Sequence, residues 1–308
     1  MTGDAIGWWG VPLAVLSGAV RVSTPFLFVS LGECITEKSG RINLGLEGTL
    51  MMGAVSGYGV SYLSGSPWLG VLAAGLVGVV MGLMHGLICS LRRVNDIALG
   101  IALMLFGVGL ADYLGKPLIQ PSAPLLPSIN LGWWSTVPQL QEALKINELF
   151  LVGVVLAPLL FWAFRATRWG LILRIVGESS DAARALGYPV VPVRVIATCL
   201  GGFLAGIGGS FLSLYFPGAW SERISSGQGI TAVALVIFAR WNPKLCFYAA
   251  LLFGGAGALG PSLQSVGIHG GYYLFNAAPY ILTLLIMILT CSPKRNLVGA
   301  PAELSITK

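Results

Sequence analysis

A few polar and ionisable side chains stand in or at the ends of long apolar runs of this 308-residue chain: Arg21, Glu33, Glu47, His85 and Asp112. A charge at a bilayer centre costs ~2.5–3.5 kcal/mol on insertion scales, so each must face protein or a water-filled cavity. Glu47 is the best placed for chemistry. It follows Asn43 by four residues, so the two share one helix face. A carboxylate accepts hydrogen bonds, and a carboxamide both donates and accepts them. Asn43 and Glu47 are therefore candidates to line a path for a polar solute, together with Gln228 and Asn276 in or beside later apolar runs. The competing reading is structural, with Glu47 pinning the start of its helix against Lys38 or Arg41. His85 follows a stripe of glycines and reads as an interior histidine rather than a proton relay.

Other chemistries find no support. No His, Cys and carboxylate residues have metal-ligand spacing, so no metal site is expected. No Ser-His-Asp arrangement is evident, and no catalytic residue is assigned. The five cysteines, Cys34, Cys89, Cys199, Cys246 and Cys291, are widely spaced and read as small buried hydrophobes. No phosphate-binding G-x-x-x-x-G-K-[ST] loop occurs, since Gly115-Lys116 is followed by Pro117. Energy for any uphill step must come from a partner or an ion gradient.

The sharpest local signal is the run from Val176 to Pro189, which reads as a short capped helix. Ser179 or Ser180 can cap its start. Asp181 suits the positive end of the helix dipole and lies three residues before Arg184, close enough to pair. Gly187 is placed for a left-handed C-terminal cap, and Pro189 prevents continuation. Ala182, Ala183 and Leu186 form a small apolar patch. A helix this short needs outside support. Either the run is a plain connection, or it is shaped to sit in another protein's groove.

The elements that must carry these residues are membrane spans. Apolar side chains make up 56% of the chain and charged ones only 10%, against about 25% charged in ordinary soluble domains. Mean hydropathy is +0.82. A cytosolic globule is excluded. The net charge of +6 reports membrane orientation, with no nucleic-acid partner expected. The first apolar run has no basic region ahead of it, so no removable signal peptide is expected.

Runs near 10–32, 44–64, 67–91, 95–114, 148–165, 193–216, 228–241, 243–265 and 271–291 predict an all-α polytopic bundle of about nine spans (8–10). The 228–241 run is short and reads as a half-helix. Placing 33–43, 92–96, 165–194, 240–244 and the tail on one side gathers 14 of the 18 Lys and Arg there. That side is cytoplasmic by the positive-inside rule, with the N-terminus outside and the C-terminus inside. Residues 1–308 then form a single transmembrane domain. A Pro-, Ser- and Trp-rich outer loop covers about 115–147, with Trp133 and Trp134 at the interface. A basic cytoplasmic loop covers about 166–192. Small residues recur at four-residue steps (Gly78, Gly82 and Gly86; Gly201, Ala205 and Gly209; Gly202, Gly206 and Ser210), as close helix packing in lipid requires.

The run Glu178 to Gly187 resembles the coupling segment of ABC-importer permeases, of the branch serving simple sugars, nucleosides and branched-chain amino acids. The stretches Glu37 to Gly48, Ala232 to Pro243 and Ala278 to Leu282 are similar to the nucleoside and basic-membrane-lipoprotein-dependent group. The resemblance extends from about residue 20 to the end. It implies a multi-pass permease of the inner (plasma) membrane working by alternating access. Its implied partners are a cytoplasmic ABC ATPase, a second and non-identical permease, an external binding protein or lipoprotein, and membrane lipid. ATP and Mg would be held by the ATPase, with no cofactor on this chain. Glu178, Asp181, Ala182, Ala183, Arg184 and Gly187 would belong to the segment that docks on the ATPase. The solute would be a nucleoside or related sugar-containing molecule, whose base and ribose have the donors and acceptors that Asn43 can match. One departure stands out: Ala239 occupies a position where the group often has Gly, just before the Arg240-Trp241 turn. The alternative is an ion-coupled transporter working alone, with Glu47 and His85 as coupling sites.

Overall fold

The computed structural model describes residues 10–91, 93–135, 141, 144–264, 277–290 and 299–305. The described helices are α1 (Gly10–Lys38), α2 (Leu46–Ser64), α3 (Pro67–Ile88), α4 (Asp96–Gly115), α5 (Glu148–Ala166), α6 (Arg168–Glu178), α7 (Ser180–Ala185), α8 (Val190–Leu214), α9 (Gln228–Phe238), α10 (Pro243–Gln264) and α11 (Ala278–Thr290). Among the described residues six stretches, Pro12–Lys38, Pro67–Ile88, Asp96–Leu118, Glu148–Ala166, Val190–Leu214 and Pro243–Gln264, are long and apolar enough to cross a membrane. Helix α2 has 19 residues but a more polar sequence, and α9 has only 11. Among the described residues the fold is helical apart from one small antiparallel pair, β1 (Ser128–Asn130) and β2 (Lys145–Asn147), with Ile129 opposite Ile146. Three-residue strands leave no alternation to read, which is why the all-α expectation lacked them.

Several helix starts follow from side chains that satisfy free N–H groups. Asn95 Oδ1 accepts from Ile97 and Ala98 at the head of α4, and Asn147 Oδ1 accepts from Leu149 at the head of α5. Thr167 Oγ1 accepts from Gly170 at the head of α6. The expected 166–192 loop is thus largely structured: α6 fills its first half, α7 follows, and α8 already begins at Val190.

Helix α8 is the hub, packed against α1, α2 and α3. Its two small-residue stripes face α1 and α3 respectively, and both also meet α2, where Gly53 lies against Gly206. On one, Gly201 lies against Gly32 of α1, and Gly209 against the Leu50 carbonyl of α2. On the other, Gly202 lies against Gly78 of α3, and Gly206 against Ala74. A Cβ on Gly78 would overlap the Gly202 carbonyl, and one on Gly202 would overlap the Gly78 carbonyl. Only glycine allows this approach of backbone to backbone. Rings add to other seams: Phe253 of α10 packs on Phe26 of α1 and Phe238 of α9, beside Gly254 of α10 against the Ala19 carbonyl of α1.

The Pro-rich stretch after α4 is tied across helix ends. Tyr58 Oη donates to the Pro121 carbonyl at 2.8 Å, Ser61 Oγ to that of Pro124 at 2.7 Å, and Asn147 Nδ2 to that of Pro127 at 2.9 Å. Trp133 and Trp134 remain exposed.

Candidate functional site

Two clusters hold the residues singled out by the sequence. The first surrounds the break before α9. Glu47, one residue into α2, is buried and accepts three hydrogen bonds. They come from Ser225 Oγ at 2.5 Å, the Gly227 N–H at 2.9 Å and the Gly229 N–H at 2.6 Å. The last two are free donors at the start of α9, where a carboxylate is stabilised by unpaired N–H groups and the helix dipole. Glu47 therefore has a structural role, but its partner is the head of α9 and not Lys38 or Arg41. Gly227 adopts φ +83°, which turns the chain into α9.

Asn43 does not share a helix face with Glu47, because α2 begins only at Leu46. It lies in the preceding turn, where its Oδ1 accepts from the Gly45 N–H at 2.9 Å. Its own N–H donates to Glu33 Oε1 at 2.8 Å. The Gly40 φ of +82° lets the chain reverse there, and the Asn43 side chain stabilises the next step toward α2. Gln228 is partly buried, and its buried Oε1 has no hydrogen-bond partner in the structure. Asn276 lies outside the described residues.

The turn between α1 and α2 is held from several sides. His85 Nε2 lies 3.1 Å from the Ile42 carbonyl, so the ring is an interior residue bracing this turn. Arg41 pairs with Asp96 at the head of α4 at 2.5 Å. Trp241 Nε1 donates to the buried carboxylate of Glu37. The turn after α9 carries its positive φ at Arg240 (49°) and Trp241 (54°). Ala239 is right-handed at φ −74°, so alanine there costs nothing in backbone strain.

The second cluster is the short helix α7. Ser179 is the N-cap, its Oγ accepting from the Ala182 N–H at 3.2 Å. At the other end Gly187 has φ +80°. The Tyr188 N–H donates to the Ala183 carbonyl and the Gly187 N–H to that of Arg184, both at 2.9 Å, which completes a Schellman cap. Asp181 and Arg184 pair at 2.9 Å.

The expected apolar patch is split. Ala183 is fully buried and packs with Val176 of α6 and Val190 of α8, with Tyr188 against them. Ala182 and Leu186 point outward, Leu186 being 63% exposed. The inward residue anchors the helix to its neighbours, so a single face cannot present all three. Glu178, Asp181, Arg184 and Gly187 are exposed alongside Ala182 and Leu186.

Glu303, near the chain end, also reaches α7. Its Oε1 accepts from the Ser180 N–H at 2.6 Å and its Oε2 from Arg194 Nη2 at 3.1 Å. Burial pushes the Glu303 pKa up, but the Ser180 and Arg194 hydrogen bonds outweigh it and leave the carboxyl below its usual value of 4.5. Sequence reasoning missed Glu303, Arg194, Ser225 and the Glu37–Trp241 pair. Glu37 and Trp241 stand in the quoted stretches, yet nothing in their spacing connects positions 204 residues apart.

The comparisons with known proteins agree with this architecture. The family described as "Branched-chain amino acid transport system / permease component" matches residues 15–291. The nucleoside ABC transporter permease protein NupC of Lactococcus lactis subsp. cremoris is 29% identical over 292 residues, covering 89% of this chain and 91% of NupC. The guanosine ABC transporter permease protein NupQ of Bacillus subtilis is 29% identical over 294 residues, with the same two coverages of 89% and 91%. TsgC13 of Haloferax volcanii, provisionally named a glucose ABC transporter permease protein, is 31% identical over 259 residues, or 82% of this chain and 79% of TsgC13. With a family match over nearly its whole length and a set of apolar helices to carry it, this multi-pass plasma-membrane chain belongs to the permease components of ABC transporters.

Proposed function

We propose that this permease forms the translocation pathway for a nucleoside or a related sugar-containing solute, driven by a separate ATPase through α7. The observation that carries the coupling role is the construction of α7. Its six residues are capped at both ends and anchored by Ala183, while Glu178, Asp181, Ala182, Arg184, Leu186 and Gly187 stay exposed. A short helix held firmly from behind and open in front suits a groove on a partner. The solute class rests on the relatives' names, which give nucleoside for NupC and guanosine for NupQ.

In this reading the amino terminus is outside, the carboxyl terminus is cytoplasmic, and about nine helices span the membrane as one domain. Residues 115–147 form the outer loop and 166–192 the cytoplasmic one. The basic residues gathered near α6 and α7 support that orientation. ATP and Mg bind on the ATPase. A second, non-identical permease completes the pathway, and an external binding protein or lipoprotein delivers the solute.

The path runs beside the break before α9. Eleven helical residues rise ~16 Å, about half the ~30 Å hydrocarbon thickness, so α9 starts deep in the membrane if its Arg240 end is at the surface. Gln228 offers its unpaired Oε1 there, with Glu47 holding Gly227 and Gly229 on either side of it, and Asn43 is a further pathway candidate at the turn into α2. Asn276 is the remaining pathway candidate.

The test is reconstitution of the whole assembly in proteoliposomes with ATP and radiolabelled guanosine. Uptake should require the ATPase. Gly187→Val should abolish coupled uptake, because a β-branched residue resists φ +80°. Uphill uptake by this chain alone, or normal coupled uptake by Gly187→Val, would overturn the reading.

A further inference from the structure

The carboxyl-terminal segment reaches back to the α7 region and ties it to the bundle. Ala300 and Leu304 pack against the main core, and Pro301 is buried. Lys38 Nζ, at the end of α1, donates to the Gly299 carbonyl at 3.0 Å. This places Glu303 where three elements meet. One carboxylate oxygen takes the Ser180 N–H at the first residue of α7, and the other takes Arg194 in the first turns of α8. Arg194 Nε in turn donates to the Ser39 carbonyl at 3.1 Å, just beyond α1. The Glu303–Arg194 pair is largely enclosed, with side chains 18% and 12% exposed. Gly40 makes the room: a Cβ there would lie 2.8 Å from Glu303 Cβ and 3.1 Å from Arg194 Nη2.

Without this contact α7 has two supports, the small Ala183 cluster and the chain itself. A six-residue helix hinged at Ser179 and Gly187 could yield locally when pushed. Charge-assisted hydrogen bonds are short, directional and about twice as strong as neutral ones. Two of them on one carboxylate join α7 to α8, and through Ser39 to α1.

We propose that Glu303 is a positioning residue for energy coupling: it locks α7 to α1 and α8, so that displacement of α7 by the ATPase moves the bundle instead of bending the loop. This rests on the docking role of α7 proposed above, and it assigns the chain end a part in transmitting force.

The test uses the full assembly in proteoliposomes, with guanosine uptake and ATP hydrolysis measured on the same preparation. Glu303→Ala should lower solute moved per ATP by about tenfold, and hydrogen exchange across residues 178–186 should quicken by about tenfold. Glu303→Gln keeps an acceptor for Ser180 but loses the charge facing Arg194, and should fall between wild type and alanine. A merely structural role would lower uptake and hydrolysis together and leave their ratio unchanged. An unchanged ratio in Glu303→Ala overturns the proposal. If that variant fails to assemble, the ratio in Glu303→Gln decides in the same way. A cross-link from Ala182→Cys to the ATPase separates the two ideas. Its absence in the otherwise unaltered assembly refutes docking itself. Its persistence in Glu303→Ala with a normal ratio refutes only the lock.

Discussion

Replacing Glu47 by alanine removes the acceptor for two backbone N–H groups and one hydroxyl at the head of α9. Ser225 can rotate its hydroxyl elsewhere, but the Gly227 and Gly229 N–H groups are fixed by the backbone. Water has little room to replace the carboxylate, since a Cβ on Gly229 would lie 2.5 Å from Glu47 Cα. Each buried donor left unpaired costs about 1–3 kcal/mol, so with two of them Glu47→Ala should destabilise the chain by about 2–6 kcal/mol. Glu47→Gln should cost about 1–3 kcal/mol. Its oxygen can still serve Ser225 and Gly227, while its NH₂ opposes the Gly229 donor. The assay is unfolding of the purified chain in mixed micelles titrated with SDS, followed by tryptophan fluorescence. A Glu47→Ala variant within about 0.5 kcal/mol of wild type, well below one unpaired buried donor, would refute the argument. Lost uptake at unchanged stability would instead make Glu47 a solute contact.

Other outcomes follow from the same geometry. Gly202→Val should prevent the α3–α8 contact and cost more than about 3 kcal/mol, read as loss of monodisperse protein on gel filtration; Gly255→Ala, where a Cβ meets nothing closer than 3.7 Å, should be tolerated. Trp241→Phe strips Glu37 of its N–H donor and should cost about 1–3 kcal/mol in the SDS titration. Glu303 contributes stability with a defined pH sign. Its folded pKa lies below 4.5, so the contribution is complete above that value and is lost as pH falls below it. Wild type and Glu303→Gln should therefore converge in thermal stability as pH falls below 4.5; a gap that stays constant on acidification would contradict the assignment.

The apolar runs were legible because lipid demands length and hydrophobicity, and a helix lies at each of the nine places they marked. The ends were less so. Helix α1 continues past the apolar run to Lys38, carrying Glu33 and Glu37 into buried positions. Acidic residues look like a stop signal until their partners are known, and those partners are a backbone N–H at Asn43 and an indole at Trp241. Glu47 stands out in the sequence as a charge within an apolar run, but its partners are peptide groups of Gly227 and Gly229, which every residue has and no composition reveals. The caps of α7 were readable in advance because Ser179 and Gly187 act locally. Its inner anchor was not, since burial of Ala183 depends on where α6 and α8 fall. The amphipathic pattern of α6 was hidden in a segment read only for its charge.

The seam between α3 and α8 has carbonyls and Cα atoms where most seams have side chains. Around Gly78 and Gly202 the joint has no rotamers to exchange, while Phe203 against Gly75 and Thr198 against Gly86 flank it. Spectroscopic labels on the outer ends of these two helices should report a constant spacing throughout a working cycle. The seam between α1 and α10 shares the design in part: Gly254 lies against the Ala19 carbonyl beside the rings of Phe26 and Phe253, so backbone meets backbone there as well.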